Sequence, residues 1–246
     1  MGRRSLPKIK GSLELSRYFI PLLDEYAEQG PYEAETAELF GAEGVRAQGY
    51  DAYAGMSFEA LSERLFGRVA PTELEIGSGK GLFIAAATKR SPERNFIGVE
   101  LAYRYALTSA SRLAKQNTPN GVMFSADAAR VLRDIIPLNS LVGAHIYFPD
   151  PWWKKAHRKR RIVRPDVIQM IEERLVVGGK LHFWTDVEEY FKSGVETIKL
   201  SSNLAGPFDI PERKAEGDLD YLTHFERRTR LNEAPVYRSY FVKRIG

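Results

Sequence analysis

The 246-residue chain has no cysteine. Disulfides, thiolate nucleophiles and Cys-ligated metals are thereby excluded, and a cytoplasmic location is expected. Long apolar runs are missing as well: nothing approaches the eighteen or so residues of a membrane span, so no membrane partner is expected. Histidine is scarce, and His145, His157, His182 and His224 show no ligand spacing, so no metal is expected. His145 and His182 fall within strand patterns and read as core residues. Nor does one charge sign dominate, since Lys and Arg total 36 against 32 for Asp and Glu. The net charge of +4 is modest, so the placement of charge carries more information than its sum. The opening Met1-Gly2-Arg3-Arg4-Ser5-Leu6 lacks both the apolar run of a twin-arginine signal and the hydroxyl residue of a myristoylation site.

Residues 1–70 show no strand patterning and read as a helical and irregular extension that could touch RNA. Leu15, Phe19, Leu22, Leu23 and Tyr26 share a face of an expected amphipathic helix over Leu13–Tyr26. A Gly-, Tyr- and acid-rich stretch follows to Gly55, and Ser57 then opens a short helix carrying Phe58, Leu61, Leu65 and Phe66. From Thr72 the texture changes. Strands are expected at Thr72–Gly77, Asn95–Glu100, Val122–Ser125, Ala144–Pro149 and Lys180–Thr185. Helices are expected between and after them, at Gly81–Arg90, Tyr103–Asn117, Ala128–Ile135, Pro165–Val176 and Val187–Ser201. This alternation implies an α/β domain over 71–246 with a mostly parallel sheet, helices on both faces and an antiparallel closing strand at Val236–Arg244.

The first of these strands ends in Glu75-Ile76-Gly77-Ser78-Gly79-Lys80-Gly81 and enters a helix. A dinucleotide fingerprint would place Gly or Ala where Leu82 stands, and the Gly-Lys-Ser/Thr of a P-loop is absent. The remaining acid-x-Gly-x-Gly-x-Gly spacing resembles that of class I S-adenosylmethionine-dependent methyltransferases, which have a Rossmann-like fold. That ligand carries an ammonium and a sulfonium and no pyrophosphate, so carboxylates suit it. Glu100 ends the second strand and is placed to accept from ribose hydroxyls. Asp127 follows the third, with the Ala128 N–H beside it, where an adenine would lie. Each acid also has a plain reading, as a turn acid or a helix N-cap.

The fourth strand breaks at Phe148-Pro149-Asp150-Pro151-Trp152-Trp153. Two prolines around an acid stiffen the turn and fix the carboxylate. Lys154, Lys155, Arg158, Lys159, Arg160, Arg161 and Arg164 then place seven cations within eleven residues. Such a run is often a solvated face, but beside a ligand site and adjacent tryptophans it suits phosphate neutralisation and base stacking. The fifth strand ends at Thr185-Asp186, and Thr223-His224-Phe225-Glu226 supplies a further hydroxyl and carboxylate, or else a capping box.

Taken in order, these elements resemble the bacterial tRNA (guanine-N7-)-methyltransferase family over about residues 70–242. The long Pro-Asp-Pro-Trp and basic element is the specific one; the glycine loop is not. Trp153 and Asn232-Glu233 depart from the family pattern, where Pro and Gly are usual. The resemblance implies S-adenosylmethionine bound by Glu75, Gly77, Gly79, Glu100, Asp127, Ala128 and Asp150, with Asp150 also catalytic. It implies contacts to a variable-loop guanosine of tRNA from Lys154, Asp186, Thr223 and Glu226, while Lys155, Arg158, Lys159, Arg160 and Arg161 suit the RNA backbone.

Guanine N7 is an acceptor without a proton, so such a transfer needs positioning and charge stabilisation more than a general base. Two other readings stay open: methylation of another base or RNA, and an RNA-binding protein with a vestigial methyltransferase fold.

Overall fold

A computed structural model describes residues 15–23, 48–152, 161–210 and 235–245. Its described strands are β1 (Phe19–Leu23), β2 (Gln48–Gly49), β3 (Thr72–Ile76), β4 (Asn95–Glu100), β5 (Gly121–Ser125), β6 (Leu141–Tyr147), β7 (Leu175–Thr185), β8 (Ala205–Asp209) and β9 (Tyr237–Val242). They form one sheet in the order β2-β1-β5-β4-β3-β6-β7-β9-β8. All neighbours are parallel from β2 to β7, whereas β9 runs antiparallel to both β7 and β8. The chain winds outward from β3 through β4 to β5, then returns to place β6 on the other side of β3. That reversal makes a crevice at the carboxyl ends of β3 and β6, where open α/β sheets bind ligands.

Helices cover both faces. On one, α1 (Phe58–Phe66), α5 (Pro165–Arg174) and α6 (Glu188–Ser201) join a core containing Leu61, Leu74, Ile146, Ile168, Phe183 and Ile198. On the other, α2 (Leu82–Arg90) and α3 (Tyr103–Gln116) pack Phe83, Ile84, Ala106, Leu107, Ala110 and Leu113 against Phe19, Phe96 and Met123. The burial of Tyr103, Ala106, Leu107, Ala110 and Leu113 follows one stripe of a 3.6-residue period. Helix α3 stops where Asn117 turns left-handed, at φ 50°. Ser57 caps α1 by accepting from the Ala60 N–H at 3.2 Å, as the sequence implies.

The amphipathic helix expected over Leu13–Tyr26 is not what forms: Phe19–Leu23 is a strand. Phe19, Ile20 and Pro21 register against Met123, Phe124 and Ser125 of β5, and Leu22 and Leu23 against β2. With partners on both sides and both faces covered, Phe19, Ile20 and Leu22 are all buried, so no alternation is visible in the sequence. The first seventy residues therefore do contain strands. Smaller differences have local causes. Helix α5 ends at Arg174, because Leu175 already pairs with Leu141. The element expected over Ala128–Ile135 is a short helical turn, α4 (Ala128–Arg130), that widens into a π-helical turn over Val131–Ile135.

One buried polar cluster joins three strands. His145 on β6 has Nε2 2.7 Å from Glu73 Oε2 and Nδ1 2.8 Å from the Tyr147 hydroxyl, and its ring stacks on His182 at 4.9 Å. Arg94 bonds the other Glu73 oxygen. Burial alone would raise the Glu73 carboxyl, but hydrogen bonds and charge from His145 and Arg94 hold it at about 2. Burial, reinforced by the charge of His145, pushes His182 down to about 3. The two histidines are thus packed sheet residues.

Candidate active site

The loop after β3 is built from three left-handed glycines: Gly77 at φ 76°, Gly79 at φ 53° and Gly81 at φ 72°. A side chain at Gly81 would meet Ser109 Oγ at 1.9 Å, so this glycine lets α2 approach α3. At Gly77 and Gly79, in contrast, a Cβ would meet nothing within 4 Å. The loop backbone there borders open space. Its amides are held from β4: Gly77 N and Ser78 N both donate to Val99 O, at 2.8 and 3.1 Å. Glu100 at the end of β4 accepts from Gly79 N and Ala102 N, each at 2.8 Å. It thus ties the loop after β3 to the start of α3.

Three carboxylates converge on this loop. Glu75 is 5% exposed and its Oε2 has no hydrogen-bond partner. Burial pushes its carboxyl up to about 8; bonds from Ser78 and Ile84 offset this in part, and the charge of Glu100 adds to it. Glu100 is raised in turn, by burial first and also by the charge of Asp150. A glycine loop bordered by open space, with an unpartnered buried carboxylate oxygen and a negative field, fits a ligand bearing cations. The donor set therefore suits S-adenosylmethionine.

Asp127 stands at the carboxyl end of β5, exposed, and caps α4 by accepting from Arg130 N at 3.1 Å. Ala128 begins that turn. The plain N-cap reading is thus realised. The backbone N–H of Asp127 donates to the Tyr50 hydroxyl at 3.3 Å, and the Arg130 guanidinium lies 3.8 Å from the centre of the Tyr50 ring. Tyr50 is buried, and burial raises its phenol. Sequence reasoning missed this residue, because the stretch around it has no period and no motif.

Asp150 lies at the tip of the turn after β6, exposed, across the crevice from the glycine loop. The backbone around it is unusual: Phe148 has φ 49° and Trp152 φ 40°. Phe148 N donates to Trp184 O at 2.8 Å, and Arg161 Nε donates to Pro151 O at 2.7 Å. Asp186 is exposed at the end of β7, where Val187 N donates to Thr185 Oγ1 at 3.2 Å. Beside it Trp184 is buried between Tyr147, at 4.9 Å, and the Arg238 guanidinium, at 5.3 Å. The structure thus brings Glu75, Gly77, Gly79, Glu100 and Asp150 to one crevice, with Asp127 and Ala128 at the neighbouring strand end and Asp186 beyond β6. Lys154, Lys155, Arg158, Lys159, Arg160, Thr223 and Glu226 lie outside the described residues. Among the described residues no cluster fits a metal ion, and no helix is long and apolar enough to cross a membrane.

Comparison with known proteins adds an independent observation. Residues 69–239 match the model of a family described as "Putative methyltransferase". The tRNA (guanine-N(7)-)-methyltransferase of Rhodopirellula baltica is 47% identical over 189 residues, covering 74% of this chain and 70% of that protein. The chain belongs to the tRNA (guanine-N7-)-methyltransferase family. A second member, from Alcanivorax borkumensis, is 37% identical over 74% of this chain and 76% of its own length. The member from Pseudoalteromonas atlantica is 31% identical over 83% of this chain and 90% of its own. For this methyltransferase the solved structures bear on the fold alone. A 16S rRNA (adenine(1408)-N(1))-methyltransferase from Catenulisporales acidiphilia superposes with a TM-score of 0.53 at 16% identity, covering 77% of this chain and 92% of that one. The antibiotic-resistance methyltransferase Kmr gives 0.51 at 13%, covering 78% and 94%. The expected class I, Rossmann-like methyltransferase fold is therefore the fold observed.

Proposed function

We propose that the chain transfers the methyl group of S-adenosylmethionine to N7 of a guanosine in tRNA, with the variable loop as the target region. The observation that carries this reading is the crevice between β3 and β6, where the unpartnered Glu75 oxygen, Glu100 and the rigid Asp150 turn face one another at the sheet's carboxyl edge. The relatives' names support the base and the RNA.

In this reading Glu75, Gly77, Gly79, Glu100, Asp127, Ala128 and Asp150 hold the cofactor, which supplies an electrophilic methyl on a sulfonium. Gly77 and Gly79 leave room for it beside the loop, Glu75 and Glu100 offer carboxylates to its cationic and hydroxyl groups, and Asp127 with the Ala128 N–H borders the adenine. Guanine N7 has a free lone pair and no proton, so Asp150 has no proton to remove. Its carboxylate instead stabilises the positive charge that develops on the purine, and the two flanking prolines fix its direction. Lys154, Asp186, Thr223 and Glu226 position the base. Lys155, Arg158, Lys159 and Arg160 neutralise RNA phosphates, and tRNA substrates place the enzyme in the cytoplasm.

The test is incubation of an unmodified tRNA transcript with methyl-labelled cofactor, followed by nucleoside analysis and by borohydride–aniline cleavage, which cuts at 7-methylguanosine. Label in another nucleoside would move the reaction to a different base. Cofactor binding without any transfer would leave the RNA-binding alternative. Asp150→Asn tests the charge: near-normal turnover with unchanged cofactor affinity would rule out an electrostatic role.

A further inference from the structure

The turn that carries Asp150 is bounded by two bulky residues in left-handed backbone, Phe148 at φ 49° and Trp152 at φ 40°. Such backbone is unfavourable for a residue with a Cβ, and the conformation persists only where surrounding contacts determine it. Pro149 and Pro151 have no N–H to offer, so the turn has few backbone donors and its carbonyls become useful anchors. On the β6 side, Phe148 N donates to Trp184 O at 2.8 Å. On the far side, Arg161 Nε donates to Pro151 O at 2.7 Å, a charge-assisted bond one residue from the Asp150 carboxylate.

Arg161 is itself held from beneath. Its guanidinium carbon lies 5.1 Å from the centre of the Tyr190 ring. Tyr190 belongs to α6, is 1% exposed, and meets Phe183 of β7 edge-on with centroids 6.1 Å apart. A chain of contacts thus runs from the rigid sheet through Tyr190 and Arg161 to the Pro151 carbonyl. The sequence had placed Arg161 with the phosphate contacts of the basic run, because charge was all that was visible there.

We propose that Arg161 is a positioning residue for the Asp150 turn and not a member of the phosphate-binding run. This inference rests on the proposed tRNA methylation at that turn. A phosphate contact requires a positive charge, which lysine also supplies. A fork that bonds a carbonyl through Nε while lying on an aromatic ring requires arginine. Arg161→Lys separates the two roles, because it keeps the charge and loses the fork.

The experiment uses the full chain with an unmodified tRNA transcript and S-adenosylmethionine. It measures kcat and KM for tRNA, tRNA affinity at several salt concentrations, and cofactor affinity by calorimetry, with thermal unfolding as a check on folding. Arg161→Lys is expected to lose roughly ten- to a hundredfold in kcat, the scale of a misplaced catalytic group. Its tRNA affinity and salt dependence stay at the wild-type level, and cofactor affinity falls severalfold. Lys155→Ala, in the basic run, gives the opposite pattern: weaker, less salt-dependent tRNA binding, read as a rise in KM.

Wild-type kcat in Arg161→Lys would overturn the inference, as would a loss confined to tRNA affinity. If the wild-type protein methylates no tRNA, the reading of the substrate fails instead, and the cofactor titration alone then decides. Weakened binding in Arg161→Lys supports the positioning role, and unchanged binding refutes it.

Discussion

Replacing Glu75 with glutamine is expected to make the cofactor-free protein more stable and a poorer binder of its cofactor. The carboxyl is buried and held neutral up to about pH 8, against 4.5 when unconstrained. Below pH 4.5 folded and unfolded chains are both protonated there, and burial of the ionised form costs nothing. As pH rises through 4.5 the unfolded chain loses its proton while the folded one retains it, so stability falls until the folded carboxyl also ionises near pH 8. With about 1.36 kcal/mol per pKa unit, the penalty at pH 7 is about 3 kcal/mol. For a chain of this length that corresponds to a melting-temperature difference on the order of 5–10 °C.

Glutamine does not ionise, so Glu75→Gln removes the penalty at neutral pH and changes little at pH 4.5. Thermal unfolding of both proteins without cofactor, at half-unit steps from pH 4.5 to 8, would show the gap opening as pH rises. Calorimetry at pH 7.5 is expected to show cofactor affinity at least tenfold weaker in the variant, on the scale of losing a charge-assisted contact. A gap that does not change with pH, or a wild type that is the more stable at pH 7, would refute the reasoning that burial keeps this acid neutral until a cationic ligand ionises it.

Three further outcomes follow from other parts of the structure. Gly81→Ala introduces a Cβ 1.9 Å from Ser109 Oγ at φ 72°, and is expected to lower stability by roughly 2–3 kcal/mol in denaturant titrations; adding Ser109→Gly should restore only the part due to the clash. Glu73, held at about 2 by His145 and Arg94 despite its burial, stabilises the fold above pH 4.5 and loses that contribution as pH falls toward 2. Glu73→Gln should therefore be less stable than wild type at pH 7 by up to about 3 kcal/mol, with the two unfolding curves converging in acid. Tyr50→Phe removes the acceptor for the Asp127 N–H, and calorimetry should show cofactor affinity reduced about two- to fivefold, the worth of one hydrogen bond, with kcat at saturation retained.

The central strands were legible because each is a short apolar run closed by a distinctive residue: Glu75 before the glycines, Glu100 after Val99, Asp150 between prolines. These acids were thus placed at the carboxyl edge of a parallel sheet, while the strand order that opens the crevice between β3 and β6 is seen only in the structure. The β1 strand was misread for a physical reason. Its apolar residues fit a helical period by chance, while the evidence against a helix was a single residue, Pro21, which would cost about 3 kcal/mol inside one. Tyr50 was invisible because its role depends on a contact with Asp127 that is 77 positions away. Arg161 was visible only as charge, and its acceptor, a backbone carbonyl, leaves no mark in a sequence.

The pairing of β1 with β5 also bears on how the chain is made. Phe19 waits for Met123, so about a hundred residues must leave the ribosome before the first strand has its main partner. Between its own synthesis and the docking of β1, β5 would form the rim of a growing parallel sheet, with an apolar edge of Val122, Met123 and Phe124 open to other chains. Truncations that begin after Leu23 would make that transient edge permanent. The earliest-made described strand must therefore wait for the fifth before it can dock, and its arrival covers the β5 rim.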